Sequence, residues 1–189
     1  MDKYSIKFLK ILTGVLASLA IALSTGATAA ADDRGELTKD SQAALTSLYA
    51  KAPGAKALGA KAMAILVFPK ITKAGFGIGG QSGEGTMFKG GKAIAFYRTS
   101  GASVGLQIGA QTYGYALFLM TAKAVQAIDS SNGFEVGVGP SVVVADEGMA
   151  KSTTTKTMKD DIYAFVFGQQ GLMAGLGIQG NKIKKLDDD

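Results

Sequence analysis

Hydrophobic and polar positions recur with a helical period near the start of the chain and with a strand period after it. A first helix is expected over 40–52, where apolar residues return every three or four positions behind Asp40 or Ser41 as candidate N-caps. A second, shorter helix is expected over 55–62. The apolar run AILVF at 64–68 is typical of a buried strand.

From Ile71 onward the pattern has the alternation of β-strands. Gly90 and Gly91 separate two short apolar runs, which indicates a β-hairpin with a glycine turn. Thr121 is a candidate N-cap for a short helix over 122–128. One short helix is therefore predicted within a region that otherwise has the pattern of strands.

The remaining segments complete an α+β pattern. A strand is expected over 134–145, with Pro140 at a bend or an edge, and a polar loop over 146–161. Two further strands are expected in the last part of the chain. The predicted fold is a single α+β domain with N-terminal helices packed on a strongly curved, mostly antiparallel, glycine-rich β-sheet or barrel-like sheet.

Glycine alternates with apolar residues in several of these strands. AGFGIGG at 74–80 and AGLGIQG at 174–180 share five of seven positions. A period of two places the glycines on one face of a strand and residues such as Phe76 and Ile78 on the other. Glycine inside a strand marks a tight bend, a barrel corner or the close approach of another backbone. We therefore expect a tightly curled sheet.

The spacing G-x-G-x-x-G in Gly75, Gly77 and Gly80 also raises the possibility of a nucleotide-binding loop. Such a loop is followed by a helix, and by an acidic residue about 20 residues later. Here the next segment, QSGEGTMF, favours a strand, and the neighbouring acids Glu84 and Asp129 come too early and too late. The glycines therefore favour a structural role, and no cofactor is expected.

The first 29 residues have the three parts of a secretory signal peptide. Three lysines precede the apolar run ILTGVLASLAIAL, and Ala27-Thr28-Ala29 is a small-x-small cleavage site. The apolar run of about 13 residues is shorter than the ~20 needed to span a bilayer. We expect a periplasmic or secreted protein without a lipidation cysteine. The expected organisation is a cleavable signal peptide at 1–29, a loose segment at 30–39, one domain at 40–186 and an acidic tail at 187–189.

Composition excludes several kinds of catalytic and metal site. The chain has no cysteine and no histidine, which removes disulfides, Ser-His-Asp triads, Cys-His dyads and the usual zinc sites. The carboxylates Glu84, Asp129, Glu135 and Asp146 lie apart from one another in sequence, so nothing selects a pair for acid–base chemistry. A carboxylate-based hydrolase is left as the weakest alternative, and no catalytic residue is assigned.

Charge is distributed unevenly along the chain, whose net charge is +5. No Asp or Glu occurs between Ser41 and Gly83, and this stretch predicts a surface for anionic lipid headgroups, with a solvated lysine face as the plain alternative. Nucleic acid is not expected as a partner, because arginine occurs only at Arg34 and Arg98 and lysine does not favour bidentate base recognition. The candidate lipid-binding residues are Lys51, Lys56, Lys61, Lys70 and Lys73.

Three stretches resemble a known family. AKAMAILVFPKITKAGFGIGGQSGEG resembles the start of the SYLF domain, also called the Ysc-type actin-binding domain. GLQIGAQTYGYALFLMTAKAVQAI resembles its central block, and YAFVFGQQGLMAGLGIQG looks like its ending. The resemblance covers roughly 40–185. Its most specific motif consists of Tyr163, Gly171, Leu172, Ala174, Gly175 and Gly180.

The resemblance implies a binding domain without catalysis. Eukaryotic members of the family bind phosphoinositides and other anionic membranes, often through an N-terminal amphipathic helix, and some bind actin. Here the N-terminus resembles a signal peptide, so anionic phospholipid or a membrane surface is the expected partner. The alternative is a structural or self-associating envelope protein that binds a protein partner, with actin the less expected choice.

Overall fold

The structure, a computed structural model, describes residues 33–130, 132–136, 138–145, 160–171 and 180–187. The predicted signal peptide and most of AGLGIQG lie outside the described residues, and the fold is that of the compact unit that begins at Leu37. The elements are α1 (33–51), α2 (Pro53–Gly59), β1 (Ala64–Lys89), β2 (Lys92–Leu119), α3 (Ala122–Ile128), β3 (Phe134–Glu135), β4 (Val142–Ala145), β5 (Ile162–Gly171) and β6 (Lys182–Lys185).

One long hairpin, β1 and β2, organises the sheet. β1 has 26 residues and β2 has 28, whereas a strand in a globular protein averages about 5–6. β2 pairs with β1 along almost its whole length, and because it is so long, two different parts of it also pair with β5 and β6. The pairs among the described residues are antiparallel, except that β4 runs parallel to β5. This arrangement confirms the predicted α+β fold with a strongly curled, mostly antiparallel sheet.

β1 folds back on itself at the glycine-rich stretch AGFGIGG. A Cβ added at Gly75 would lie 2.8 Å from the carbonyl oxygen of Ile78, so only glycine fits the bend. Farther along, a Cβ at Gly83 would lie 2.5 Å from the carbonyl oxygen of Lys70. The two arms of β1 therefore touch backbone to backbone. The predicted roles of these glycines, a tight bend and a close backbone approach, are both found here.

Two apolar clusters lie on opposite faces of this curled sheet. The inner cluster fills the space enclosed by the curl, and the outer cluster lies under α1 and α2. Ring contacts stabilise both, with centroids 4.8 Å apart for Phe68 and Tyr115 inside and 5.4 Å apart for Phe118 and Phe165 outside. Other members of the inner cluster are Leu66, Ile71, Met87, Tyr97 and Tyr113, and other members of the outer cluster are Leu45, Leu48, Leu58 and Val67.

Helix α1 begins earlier than the sequence pattern indicates. The residues 33–39, expected to be loose, are helical. Ser41, one of the two candidate N-caps, lies inside the helix and is fully buried. Its hydroxyl is within hydrogen-bond distance of the carbonyl oxygen of Val67, at 3.4 Å, and of Oγ1 of Thr86, at 3.3 Å. The polar residue that resembled a cap therefore joins α1 to both arms of β1.

Several turn and cap predictions agree with the structure. Gly90 and Gly91 have positive φ of 57° and 80° and form the hairpin turn. Thr121 caps α3, because its side chain accepts a hydrogen bond from the Ala124 amide at 3.2 Å. The strand expected over 134–145 is divided instead into β3 and β4. Pro140 lies between the two pieces, where it cannot donate to a ladder.

Candidate functional site

The five lysines predicted to bind lipid do not share one environment. Lys51, Lys56, Lys61 and Lys70 are exposed. Lys73 differs, because only 5% of it is exposed, so it is not part of a surface patch. Lys73 was predicted from the stretch without carboxylates, but strand alternation places it on the inner face of β1, two residues after the buried Ile71.

The four exposed lysines do not all belong to one part of the fold. Lys51 ends α1, Lys56 is in the last turn of α2, and Lys61 follows two residues after α2. These three therefore belong to one helical corner. Lys70 lies six residues into β1, which is about 20 Å of extended chain at ~3.3 Å per residue. Lys70 is thus separate from the corner.

A groove runs between α1 and the tip of the β1–β2 hairpin. Its open part has a volume of about 760 Å³ and its deeper part about 310 Å³. Both parts share Gln42, Phe88 and Gly91 in their walls, so they adjoin each other. The open part includes Ala43, Thr46, Ser47 and Ala50 of α1 and Ala93 of β2, and the deeper part includes Leu45, Tyr49, Gly59, Ala62 and Ile65.

Exposed lysines border this groove on several sides. Lys39 lines its open part. Lys61 stands between Ala60 and Ala62, which both line the deeper part. Lys89 and Lys92 flank the hairpin glycines that close the groove. The lining residues include no carboxylate, so the groove combines an apolar floor with a basic border.

The lysines of the hairpin tip were not among the residues predicted from the sequence. Lys89 and Lys92 lie outside the stretch without carboxylates that drew attention to the other five. A signal was present, since a Lys-Gly-Gly-Lys turn must expose both lysines at a hairpin tip. Their place beside α1 could not be read from the sequence, because it depends on how the helix packs on the sheet.

A buried polar cluster occupies the inside of the curled sheet. Nε2 of Gln81 donates to Oδ1 of Asn181 at 2.5 Å, and the hydroxyl of Tyr113 donates to Oε1 of Gln81 at 2.8 Å. The hydroxyl of Tyr115 donates to Oγ1 of Thr99 at 2.8 Å. All five residues are buried. The two amide side chains of this cluster were not predicted from the sequence.

Lys73 and Gln111 extend the cluster. They are direct partners in the ladder of β1 and β2, which places their side chains on the same face. Oε1 of Gln111 and Nδ2 of Asn181 are buried and have no hydrogen-bond partner in the described part of the chain. A buried polar atom without a partner is rare in folded proteins, because its desolvation is not compensated.

Burial also changes the acidity of three tyrosines in the inner cluster. It raises the pKa of Tyr113 and Tyr115, while hydrogen bonding with Asn181 and Thr99 acts in the opposite direction. For Tyr97, burial is the largest cause of a raised pKa, followed by the hydrogen bond to Asp129. These phenols remain neutral hydrogen-bond donors at ordinary pH, which suits packing and not nucleophilic chemistry.

Two of the isolated carboxylates take structural roles. Glu84 pairs with Arg98, with Oε1 and Nη2 2.5 Å apart. Asp129 contacts Nζ of Lys185 at 3.4 Å and accepts from the hydroxyl of Tyr97.

Over the described residues, no group of three potential ligands could hold a metal ion. The described helices include none with the length and apolar character that crossing a membrane requires.

Comparison with protein families matches residues 100–189 to Ysc84, described as Las17-binding protein actin regulator. The matched region contains α3, the second part of β2, and the strands from β3 to β6. No curated protein matches the chain. The family match supports the resemblance carried by the motif that begins at Tyr163, and its description is that of a binding protein. Residues 100–189 of this chain are thus similar to the Ysc84 family, in agreement with the resemblance to the SYLF domain.

Proposed function

We propose that this protein binds anionic phospholipid without catalysing a reaction, and that the groove between α1 and the hairpin tip holds the lipid. The observation that carries the proposal is the apolar groove bordered by exposed lysines. A phospholipid has the same two parts, an apolar chain and a phosphate headgroup. The floor near Phe88 would accept the chain, and the lysines would face the headgroup.

The two parts of the groove would contribute different forces. A lysine near an anionic surface is worth about 1 kcal/mol, so Lys61, Lys89 and Lys92 together could supply about 3 kcal/mol at low salt. This attraction acts over about a Debye length and weakens as salt rises. Apolar contact in the groove would add about 25 cal/mol for each Å² removed from water. Lysines thus attract the surface, and the groove retains the lipid.

The lysines predicted from sequence keep a supporting role in this proposal. Lys51 and Lys56 share the helical corner of Lys61 and would extend the basic surface. Lys70 stays a prediction, because it lies apart from the groove. The signal-peptide pattern of residues 1–29 supports the bacterial envelope as the location of the proposed activity, in a periplasmic or secreted form.

Vesicle co-sedimentation tests the proposal. The purified protein is mixed with vesicles of phosphatidylcholine alone or with one third phosphatidylglycerol, at low and high salt. We expect binding to the anionic vesicles only, and a loss of at least tenfold in the triple variant Lys61→Glu, Lys89→Glu, Lys92→Glu. The matched control reverses three exposed lysines away from the groove and therefore changes the net charge equally. The control substitutions are Lys123→Glu, Lys182→Glu and Lys184→Glu.

Two results would reject the groove as the lipid site. Equal binding to neutral and anionic vesicles would show that the lysines contribute nothing. Equal losses in the two triple variants would show that only net charge matters and that the groove has no special role. A loss confined to the groove variant would support the proposal.

A second candidate function is the binding of a protein partner. The family description, Las17-binding protein actin regulator, favours it for relatives of this chain. An apolar segment of another protein could lie in the same groove, since it needs the same apolar floor. If the protein binds none of the vesicles but its particle size increases with protein concentration, self-association is favoured over lipid binding.

A further inference from the structure

We infer that the acidic tail of this chain, residues 187–189, docks on the lysines of the hairpin tip and competes there with the anionic ligand of the groove. This inference rests on the proposed function and adds a regulation of the same site. The occupant of the tip is thus a segment of the chain itself. Its three aspartates are opposite in charge to Lys89 and Lys92, which border the groove.

The path of the chain after β6 carries the first step. β6 runs antiparallel to β2, with Lys185 opposite Tyr97. The pairing continues one residue farther, because the Leu186 amide donates to the carbonyl oxygen of Phe96 at 2.9 Å. Each following residue of an extended tail then advances along β2 toward Lys92. The tail therefore leaves its last hydrogen bond on a course that leads to the hairpin tip.

The length of the tail fits this course. Residues 187–189, of which the last two lie outside the described residues, span ~10 Å when extended at ~3.3 Å per residue. Lys92 lies four residues before Phe96, which is ~13 Å along β2. The remaining ~3 Å is shorter than a lysine side chain. The carboxylates of the tail can therefore reach the ammonium groups of the tip.

β2 offers this tail an open edge. Between Lys92 and Ala95, one edge of β2 pairs with β1. Among the described strands, β5 and β6 pair with β2 only within 97–100 and 111–119, so an extended segment can bond to the other edge near the tip. Ala93 in this stretch also lines the open part of the groove. A docked tail would therefore lie beside the groove as well as beside its lysines.

Docking of the tail and binding of the ligand would exclude each other, because both need the same ammonium groups. The tail belongs to the same chain, so its effective concentration at the tip is high and does not fall on dilution. Exposed ion pairs are weak and are screened by salt. The tail would therefore lower the affinity of the groove without abolishing binding, and a surface rich in phosphate would displace it.

Vesicle binding by a tail variant measures this competition. The substitutions Asp187→Asn, Asp188→Asn and Asp189→Asn keep the length of the tail and remove its charge. The vesicles contain two parts phosphatidylcholine to one part phosphatidylglycerol, at low salt. We expect the variant to bind about fivefold more tightly than the wild type, which corresponds to a tail that is docked about 80% of the time.

Two lysine backgrounds separate docking from net charge. The tail substitutions are repeated in Lys89→Gln, Lys92→Gln and in Lys182→Gln, Lys184→Gln, which removes two exposed lysines of β6. We expect the gain of about fivefold to persist in the β6 background and to fall below about twofold in the hairpin background. Equal gains in the two backgrounds would show that only net charge matters and would overturn the inference.

Carbodiimide cross-linking followed by mass spectrometry tests the contact without any lipid. The reagent joins an amine to a carboxylate that lies against it. We expect links from Asp188 or Asp189 to Lys92 or Lys89, with a yield that falls when the anionic vesicles are added. Links confined to the lysines of β6, the neighbours of the tail in sequence, would overturn the inference.

The two experiments also distinguish this inference from the proposed function. Vesicle binding by the wild type, with no cross-link to the tip and no gain in the tail variant, would support the lipid site and overturn the docked tail. A cross-link to the tip in a protein whose wild type and tail variant both bind no vesicle would reject the lipid proposal and support the docked tail.

Discussion

Gly83 meets the backbone of Lys70 across the fold of β1. A Cβ added at Gly83 would lie 2.5 Å from the Lys70 carbonyl oxygen and 2.8 Å from Cδ1 of Ile71. Real Cβ atoms do not tolerate such contacts, so the two arms must separate if any larger residue replaces this glycine. The close approach of the arms is what encloses the inner cluster.

The substitution Gly83→Ala is therefore expected to destabilise the protein. Overpacking of this kind costs about 1–3 kcal/mol. The control is Gly80→Ala, because the nearest atom to its added Cβ is the carbonyl oxygen of Gly101 at an ordinary 3.9 Å. Urea denaturation should show a lower free energy of unfolding for Gly83→Ala and little change for Gly80→Ala. Similar values for the two variants would mean that the arms do not touch as described.

The buried hydroxyl of Ser41 gives a second prediction. Ser41→Ala removes the hydrogen bonds to Val67 and Thr86 and leaves Oγ1 of Thr86 with one partner fewer. We expect the free energy of unfolding to fall by about 1 kcal/mol, the usual net worth of a buried hydrogen bond. The control is Ser47→Ala on the exposed face of the same helix, where the change should stay within about 0.5 kcal/mol. A larger loss at Ser47 than at Ser41 would contradict the packing of α1.

The buried tyrosines predict how stability depends on alkaline pH. Burial raises the pKa of Tyr97, Tyr113 and Tyr115 above the ordinary value of 10.0. In the unfolded chain these phenols ionise near pH 10, whereas in the folded chain they keep their protons. Above pH 10 the unfolded state therefore binds fewer protons, and the free energy of unfolding should fall as pH rises. Below pH 10 these groups should have no effect.

Chemical denaturation at several pH values, followed alongside the ultraviolet absorbance of phenolate, measures this dependence. Each tyrosine contributes a slope of at most about 1.4 kcal/mol per pH unit. Tyr115→Phe should remove one such contribution and make the decline above pH 10 shallower. An unchanged slope, or phenolate absorbance that appears at pH 10 while the protein is still folded, would show that Tyr115 is not shielded.

Local features of the fold could be predicted from the sequence. The hairpin turn at Gly90 and Gly91, the cap at Thr121 and the short helix that follows it depend on residues only a few positions apart. Alternation of glycine with apolar residues indicated a sharply curled sheet, because few other arrangements need a strand without side chains on one face. The family resemblance followed from motifs within the same strands.

The tertiary structure decided which polar residues face water. Lys73 and Lys70 look alike in sequence, but the fold of β1 buries the first and exposes the second. Ser41 resembled a cap until α1 proved to begin eight residues earlier. In each case the deciding partner is far away in the chain, so no local pattern could reveal it.

The sequence by itself thus determined the element types, the turns, the glycine-driven curvature and the excess of lysine, since these follow from short-range sterics and composition. Only the tertiary structure determined the groove beside Phe88, its border with Lys89 and Lys92, and the buried cluster around Gln81 and Asn181. Those sites are built from residues up to 100 positions apart. Packing of α1 and the return of β1 onto itself bring them together.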